Sequence, residues 1–435
     1  MKINTVTVIG ANGTMGANVA ALFAAFGNAK VYMVSREIEK SQQAITKATR
    51  SVRADSIAKN MIPVDYTSLT DCVSKSDLIF ESVAEDLKVK ANITKQIAPY
   101  IPAHAVVCSG TSGLSITQLA ECLTPNMSSR YFGVHFFNPP YSMTLCELIP
   151  TKYSDEKLIF ELQDYLQSVL FRSVVQTKDS PAFLANRIGF QFINKALQFA
   201  ERYKDNGGID YIDSILGPFT GRTMPPIKTA DFVGLDIHDA IMSNVRYNTQ
   251  DYANDSFVTP EYVKKLIQRG QLGRKTRAGL YKTQVNENGS KSTLVYDINS
   301  DSYRKDIPYA FPFAESMKQQ IKIGNYTEAF HILLNNHSQE AEICIYFLLN
   351  YIAYSLLTAA DVASNIAAAD VAMATGFNWC PPLALLDVMK TATDVPALIR
   401  TKLNLDDCIQ QKLDLLLSKA PKSTYDYRMY FKNTK

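Results

Sequence analysis

Short apolar runs alternate with helical stripes over the first third of the chain. Thr5-Val6-Thr7-Val8-Ile9 is rich in β-branched residues and predicts a strand. A glycine-rich turn follows. Then Val19, Leu22, Phe23 and Phe26 recur at helical spacing until Gly27 closes the stripe. Lys30 to Val34, Leu78 to Phe80 and Ala105 to Cys108 read as further strands. Strand-length runs separated by helical patterns predict βαβ units and a parallel, doubly wound sheet of the Rossmann kind, assigned here to residues 1–180.

Near Ser180-Pro181 the character changes, and from Phe183 onward the pattern is helical. Phe190, Ile193, Leu197 and Ala200 share one helical face, and strand signals become rare. The rest reads as all-α, divided into residues 181–285 and 310–435 by a charged, Pro-bearing stretch from Asn286 to Pro312. The two blocks repeat one order of elements. Ala196 to Leu235 runs helix, Ile209-Asp210-Tyr211-Ile212, a Gly/Pro turn, then Thr229 to Val233; Tyr354 to Met389 runs helix, Ala369 to Met373, Gly376 to Pro382, then Leu385 to Val388. A duplicated helical unit can bury its apolar face against its own copy. Ile343 to Ala360 carries no charge over 18 residues, but its Asn350, Tyr and Ser/Thr content, and the lack of flanking basic clusters, point to a buried helix rather than a membrane span.

Composition narrows the class. Of 435 residues, 46% are hydrophobic and 20% charged, enough to build large cores without metal or disulfide staples. A net charge of +3 without a basic run gives no nucleic-acid surface. Seven cysteines without a C-x-x-C pair read as reduced thiols of a cytoplasmic protein, and no secretory signal is apparent at Met1. His104, His238, His331 and His337 lack patterned acidic or Cys neighbours, so no metal is expected, and Asp210, Asp213 and Asp231 read as helix-surface or capping acids.

Gly10-Ala11-Asn12-Gly13-Thr14-Met15-Gly16 follows a strand and opens a helix. Glycines let the backbone approach a pyrophosphate, and the helix start offers free N–H groups and a positive dipole end. The spacing G-x-x-G-x-x-G is one residue wider than the usual dinucleotide fingerprint. At the end of the second strand, where an acid ordinarily holds the ribose 2′-OH, stand Ser35 and Arg36. Arg36 would attract a 2′-phosphate, which favours NADP. Equally, Arg36 could cover the adenine while Ser35 serves the ribose of NAD, so the cofactor reading is NAD or NADP.

Val134-His135-Phe136-Phe137-Asn138-Pro139-Pro140 sets a histidine at a strand end before a Pro-stiffened turn. Twelve residues on, Glu147 lies inside the apolar run Cys146-Glu147-Leu148-Ile149, where a carboxylate is costly unless paired. A His–carboxylate pair would make a general base; a satisfied core His and an unrelated surface Glu explain the spacing about as well. The HFFNP segment with that acid, Glu81 to Lys90 (ESVAEDLKVK), Ser109 to Thr117 (SGTSGLSIT), Asp179 to Arg187 (DSPAFLANR) and Gly270 to Tyr281 (GQLGRKTRAGLY) together resemble the 3-hydroxyacyl-CoA dehydrogenase family over nearly the whole chain.

The resemblance implies hydride transfer between nicotinamide and the 3-position of an acyl-CoA thioester, chemistry of the fatty-acid β-oxidation type. It implies His135 as general acid/base, Glu147 as its orienting partner, and Ser112 and Asn186 as groups that hydrogen-bond the substrate oxygen. Glu85 and Lys90 match cofactor-proximal positions, and Asn138 matches a support of the His loop. The rest of the cofactor site read from the residues is Gly10, Asn12, Gly13, Thr14, Met15, Gly16, Ser35 and Arg36, whose widened glycine spacing and Ser35-Arg36 pair depart from the family. Gly110 departs from the family, which commonly has Asn there. The second helical repeat is similar to that of larger bacterial and archaeal members, and no hydratase pattern follows residue 400. Short members dimerise through the helical domain, so a tandem copy predicts a monomer. Two alternatives stay open: a dehydrogenase of small free hydroxy acids, and a non-catalytic nucleotide-binding relative.

Overall fold

The computed structural model describes residues 1–285 and 289–431. Residues 286–288, where the expected spacer begins, and 432–435, where the expected second helical block ends, lie outside the described residues. The chain forms two compact units, Met1–Phe183 with Val362–Ser364, and Leu184–Asp361 with Asn365–Lys435.

The first unit is built on an eight-stranded sheet of β1 (Thr5–Ile9), β2 (Lys30–Ser35), β3 (Met61–Asp65), β4 (Leu78–Glu81), β5 (Val106–Ser109), β6 (Tyr131–Phe136), β7 (Leu145–Ile149) and β8 (Ser173–Gln176). The spatial order is β3-β2-β1-β4-β5-β6-β7-β8. β1 to β6 run parallel, β7 turns back against β6, and β8 follows β7. The order reverses between β1 and β4, the place where doubly wound sheets open a ligand crevice. β3 escapes the sequence pattern because it is a half-buried edge strand interrupted by Pro63.

Neighbouring residues on a strand serve opposite faces. Val6, Val8, Phe80, Phe132, Val134 and Leu148 pack with Val19, Leu22 and Phe23 of α1 (Thr14–Ala25). Ile9, Val34, Ile79, Val107, Tyr131 and Ile149 pack on the other side with Leu69, Ile97, Ile116 and Leu119. Each such fully buried side chain contributes about 1.5–3 kcal/mol. Burial on both faces is why these strands read as continuous apolar runs. Beyond β8, Thr177 bridges to Ala363, and Lys178 N donates to the Val362 carbonyl at 2.7 Å.

The second unit packs the helix Ala185–Arg202 against the helix Gln339–Val362. Phe192 and Phe199 both meet Phe347, with ring centroids 5.1 and 4.9 Å apart, and Asn350 donates to Gln191 at 3.2 Å. The 24-residue helix is long and apolar enough to cross a membrane by length and composition, and 83% of its most apolar window is buried. The end of the expected first helical block and the expected spacer instead fold into an antiparallel sheet of β9 (Tyr281–Val285), β10 (Lys291–Asp297) and β11 (Ser302–Lys305). Lys282, Lys291 and Lys305 sit at exposed positions, while Val295 and Tyr296 are buried on opposite faces of β10, which is why composition alone resembles a linker.

Asp210, Asp213 and Asp231 are buried anchors, not surface acids. Asp210 pairs with Arg304 at 2.6 Å. Asp213 accepts from Ile227 N, Lys228 N and the Tyr281 hydroxyl, and burial pushes its carboxyl up to about 7. Asp231 accepts from Leu280 N and Tyr281 N. The second block repeats this lattice: Asp370 accepts from Leu383 N and the Ser423 hydroxyl, and Asp387 from Ser423 N. The counterpart of Asp370 is therefore Asp213, one helical turn after the Asp210 that the sequence pattern aligns with it. A periodic helix hides a one-turn slip, because residues three or four apart share a face.

His238 is buried, and its Nε2 meets Asn194 Oδ1 at 2.9 Å. Asn194 spends its amide N–H groups on the Ser256 and Val258 carbonyls, so His238 donates through Nε2. Burial pushes its pKa from 6.5 down to about 3. A ring that charges in the unfolded chain but stays neutral in the fold lowers stability as pH falls from 6.5 towards about 3. Asp213 has the opposite sign: its raised carboxyl pKa costs stability as pH rises towards about 7. We expect His238→Gln to lose less stability than the natural chain between pH 6.5 and about 4.5 in urea unfolding. Equal losses would contradict this account.

Candidate active site

The crevice between β1 and β4 is lined by the glycine turn. Gly10 has φ +82°, and a Cβ there would lie 2.4 Å from the Ser82 carbonyl oxygen; one at Gly16 would lie 2.4 Å from the Gly10 carbonyl oxygen. The turn is thus a cradle that side chains would fill. Gly10 N and Ala11 N both donate to the Val34 carbonyl, and Gly13 N to the Gly10 carbonyl. The extra residue of the widened fingerprint is taken up in this tight turn, with Asn12 exposed. The first turn of α1 holds no acidic residue, so its N–H groups and dipole face the cradle unopposed. Gly13, Thr14 and Met15 line the same entrance, and the residues fit a pyrophosphate.

Strand register sets the chemical groups on one edge. Ile9 pairs with Val34 and Glu81, Glu81 with Ser109, Ser109 with Gly133, and Gly133 with Ile149. β6 then runs on past this line and carries His135 two residues above it, about 7 Å at strand rise. Because β7 returns antiparallel, His135 faces Glu147 directly. The hairpin converts twelve residues of sequence into a 2.7 Å contact between Nδ1 and Oε2, both groups buried. Phe137 and Phe183 pack against the imidazole at centroid distances of 4.5 and 5.7 Å. Glu147 accepts at Nδ1, which assigns that nitrogen as protonated and leaves Nε2 as the acceptor of the neutral ring. The loop after His135 is tied down twice: Arg172 donates to the Pro140 carbonyl, and Asn18 of α1 reaches Asn138 at 3.4 Å.

A second polar network lies on the same edge. Lys90 Nζ pairs with Glu81 at 2.8 Å and with Glu85 at 3.4 Å. Glu81 also accepts from Val83 N and the Ser109 hydroxyl, and Glu85 from the Thr111 hydroxyl and Ser112 N. Asp179 accepts from the Ser115 hydroxyl, Ile116 N and Thr117 N, which fixes the far end of the Ser112 loop. Ser112 donates its backbone N–H to Glu85, and no hydrogen bond of its hydroxyl occurs among the described residues. Glu81, Thr111 and Asp179 were not singled out by sequence reasoning. An acid closing the apolar run Leu78-Ile79-Phe80, nine residues before Lys90, is the signal that could have found the first.

Asn186 belongs to the helical unit, on the first turn of Ala185–Arg202. Its neighbour Arg187 is gripped by Asp251 at 2.6 Å and by the Tyr354 hydroxyl at 3.3 Å, and Tyr354 donates to the same Asp251. Ser35 is buried at the end of β2 and Arg36 is exposed beside it. Among the described residues, no group of three or more His, Cys, Asp or Glu is arranged to hold a metal.

Known proteins are similar to this chain in sequence and fold. The 3-hydroxyacyl-CoA dehydrogenase NAD binding domain matches residues 5–180, and the C-terminal domain of the same family matches 183–283. The mitochondrial hydroxyacyl-coenzyme A dehydrogenase of Sus scrofa is 31% identical over 64% of this chain and 91% of its own length. The chain belongs to the 3-hydroxyacyl-CoA dehydrogenase family. A probable 3-hydroxyacyl-CoA dehydrogenase of Bacillus subtilis is 27% identical over 95% of this chain, which spans only 54% of that relative. A solved 3-hydroxybutyryl-CoA dehydrogenase of Escherichia coli shares the fold at 20% identity, TM-score 0.70, over 96% of this chain and all of the other.

Against the family pattern, Gly110 has a steric cause. A Cβ there would lie 2.7 Å from the Phe80 ring, and Phe80 is itself packed on Phe23 and Phe136. The Phe80 ring occupies the room that an asparagine at 110 would need.

Lys90 is buried between two carboxylates, so its removal leaves Glu81 uncompensated. Lys90→Met should cost about 3–5 kcal/mol, read as a lowered denaturation midpoint. Adding Glu81→Gln should restore part of the loss. A single variant as stable as the natural chain would refute the ion-pair account.

Proposed function

We propose that this chain interconverts 3-hydroxyacyl-CoA and 3-ketoacyl-CoA thioesters as a nicotinamide-dependent dehydrogenase. The observation that carries the reading is the buried His135–Glu147 pair on the sheet edge that also bears the glycine cradle. The dinucleotide would supply the hydride chemistry, held by the backbone of Gly10 to Gly16 and the start of α1. Nε2 of His135 takes the proton of the 3-hydroxyl during oxidation and returns it during reduction. Nδ1 keeps its own proton on Glu147 throughout, so the carboxylate orients the ring and offsets the charge it acquires. Ser112 and Asn186 are assigned to the substrate oxygen by family likeness. Phe137, Phe183 and the apolar strand ends exclude water from the ring. The intact polar set favours catalysis over a purely binding role.

His135→Gln should lower turnover of a C4 3-ketoacyl-CoA by about 10²–10⁴-fold, with dinucleotide affinity nearly unchanged. Glu147→Gln should fall in the same direction. The free 3-keto acid should be turned over far more slowly than its thioester. Turnover retained in His135→Gln would remove the base, and equal rates for acid and thioester would favour the small-hydroxy-acid reading.

The second helical block also bears on assembly. Phe192, Phe199 and Gln191 of the first block are covered by Phe347 and Asn350 of the second within one chain. We therefore expect a monomer in sedimentation equilibrium; a tight dimer would count against the tandem copy acting as a built-in partner.

A further inference from the structure

The adenosine end of the crevice is unusual in charge. Hydrogen bonds from Gly10 N and Ala11 N to the Val34 carbonyl, both 3.0 Å, bring the end of β2 against the glycine turn. In doubly wound folds this strand end faces the ribose of the dinucleotide, and a carboxylate there accepts from the 2′-hydroxyl while repelling a phosphate. Here that position is Ser35, which is uncharged, and its buried hydroxyl has no hydrogen-bond partner among the described residues. Arg36 follows, exposed and without an ion pair among the described residues.

The nearby acids are engaged locally. Glu37 is bound by Lys40 at 2.6 Å. Asp65, the register partner of Ser35 on β3, accepts from Thr67 N and the Thr67 hydroxyl, and those bonds hold its carboxyl below the usual range. Tyr66, the next residue, lies within the field of Arg36: burial raises its hydroxyl pKa and the Arg36 charge opposes that rise. A guanidinium in such a place has the planar, multidentate donor set that suits a phosphate monoester.

We propose that Arg36, with Ser35 in place of an acid, makes this chain select the 2′-phosphorylated dinucleotide, NADP(H), over NAD(H). This rests on the dinucleotide site of the proposed function and adds to it the identity of the ribose substituent. The selectivity lies in ground-state binding of the adenosine half and needs no part of the hydride chemistry.

The test is calorimetric titration of the full chain with ADP-ribose and with 2′-phospho-ADP-ribose, neither of which carries nicotinamide. The phosphorylated probe should bind about 10- to 100-fold more tightly, the size of one or two charge-assisted hydrogen bonds. Added salt should narrow the gap. Arg36→Ala should abolish the advantage and leave ADP-ribose affinity within about twofold. Ser35→Asp should weaken the phosphorylated probe and spare ADP-ribose. Equal binding of both probes to the natural chain, or an advantage that survives Arg36→Ala, would overturn the proposal while leaving the dinucleotide site intact. Failure of both probes to bind would overturn it together with that site.

Discussion

A reversal of strand direction decides what this molecule can do. If β7 ran parallel to β6, Glu147 and His135 would have no reason to meet. Because it turns back, the register places them opposite each other on one face, 2.7 Å apart. A carboxylate buried alone would be strongly destabilising, and an imidazole alone on that edge could turn freely. Paired, the carboxylate is compensated and the ring is held in one tautomer. The surrounding apolar strands both enforce the contact and remove competing water.

The second polar network obeys the same rule at the neighbouring strand ends. Glu81 and Ser109 point to the side of the sheet that Ile79 and Val107 occupy lower down. Apolar positions thus give way to polar ones on the same face just where each strand leaves the core. Lys90 and Thr111 bind these groups into a set with Glu85 and the Ser112 backbone. The cleft is a continuation of the core in which side-chain polarity changes and packing does not.

Local patterns made much of this legible. Val6, Val8 and Ile9 announce a strand, the glycines beyond it announce a tight turn, and the stripe from Val19 to Phe26 announces the helix. The twelve-residue interval between His135 and Glu147 was visible but ambiguous, since only a hairpin makes those positions face each other. Pairings across the sheet were beyond reach: no local signal links Glu81 to Ser109, or Asp179 to Ser115. β10 was hidden by its charged outer positions, and Asp213 by a one-turn ambiguity in helical phase. What remained illegible was whatever depends on residues that only the folded chain brings together.

The steric conflict between positions 80 and 110 limits how this strand edge can be altered. Enlarging residue 110 while Phe80 stands would force two rings and a backbone apart, and shrinking Phe80 first would open a void among Phe23 and Phe136. Either order passes through a damaged intermediate. The two sites therefore act as one unit: a larger residue at 110 calls for a smaller one at 80 in the same step.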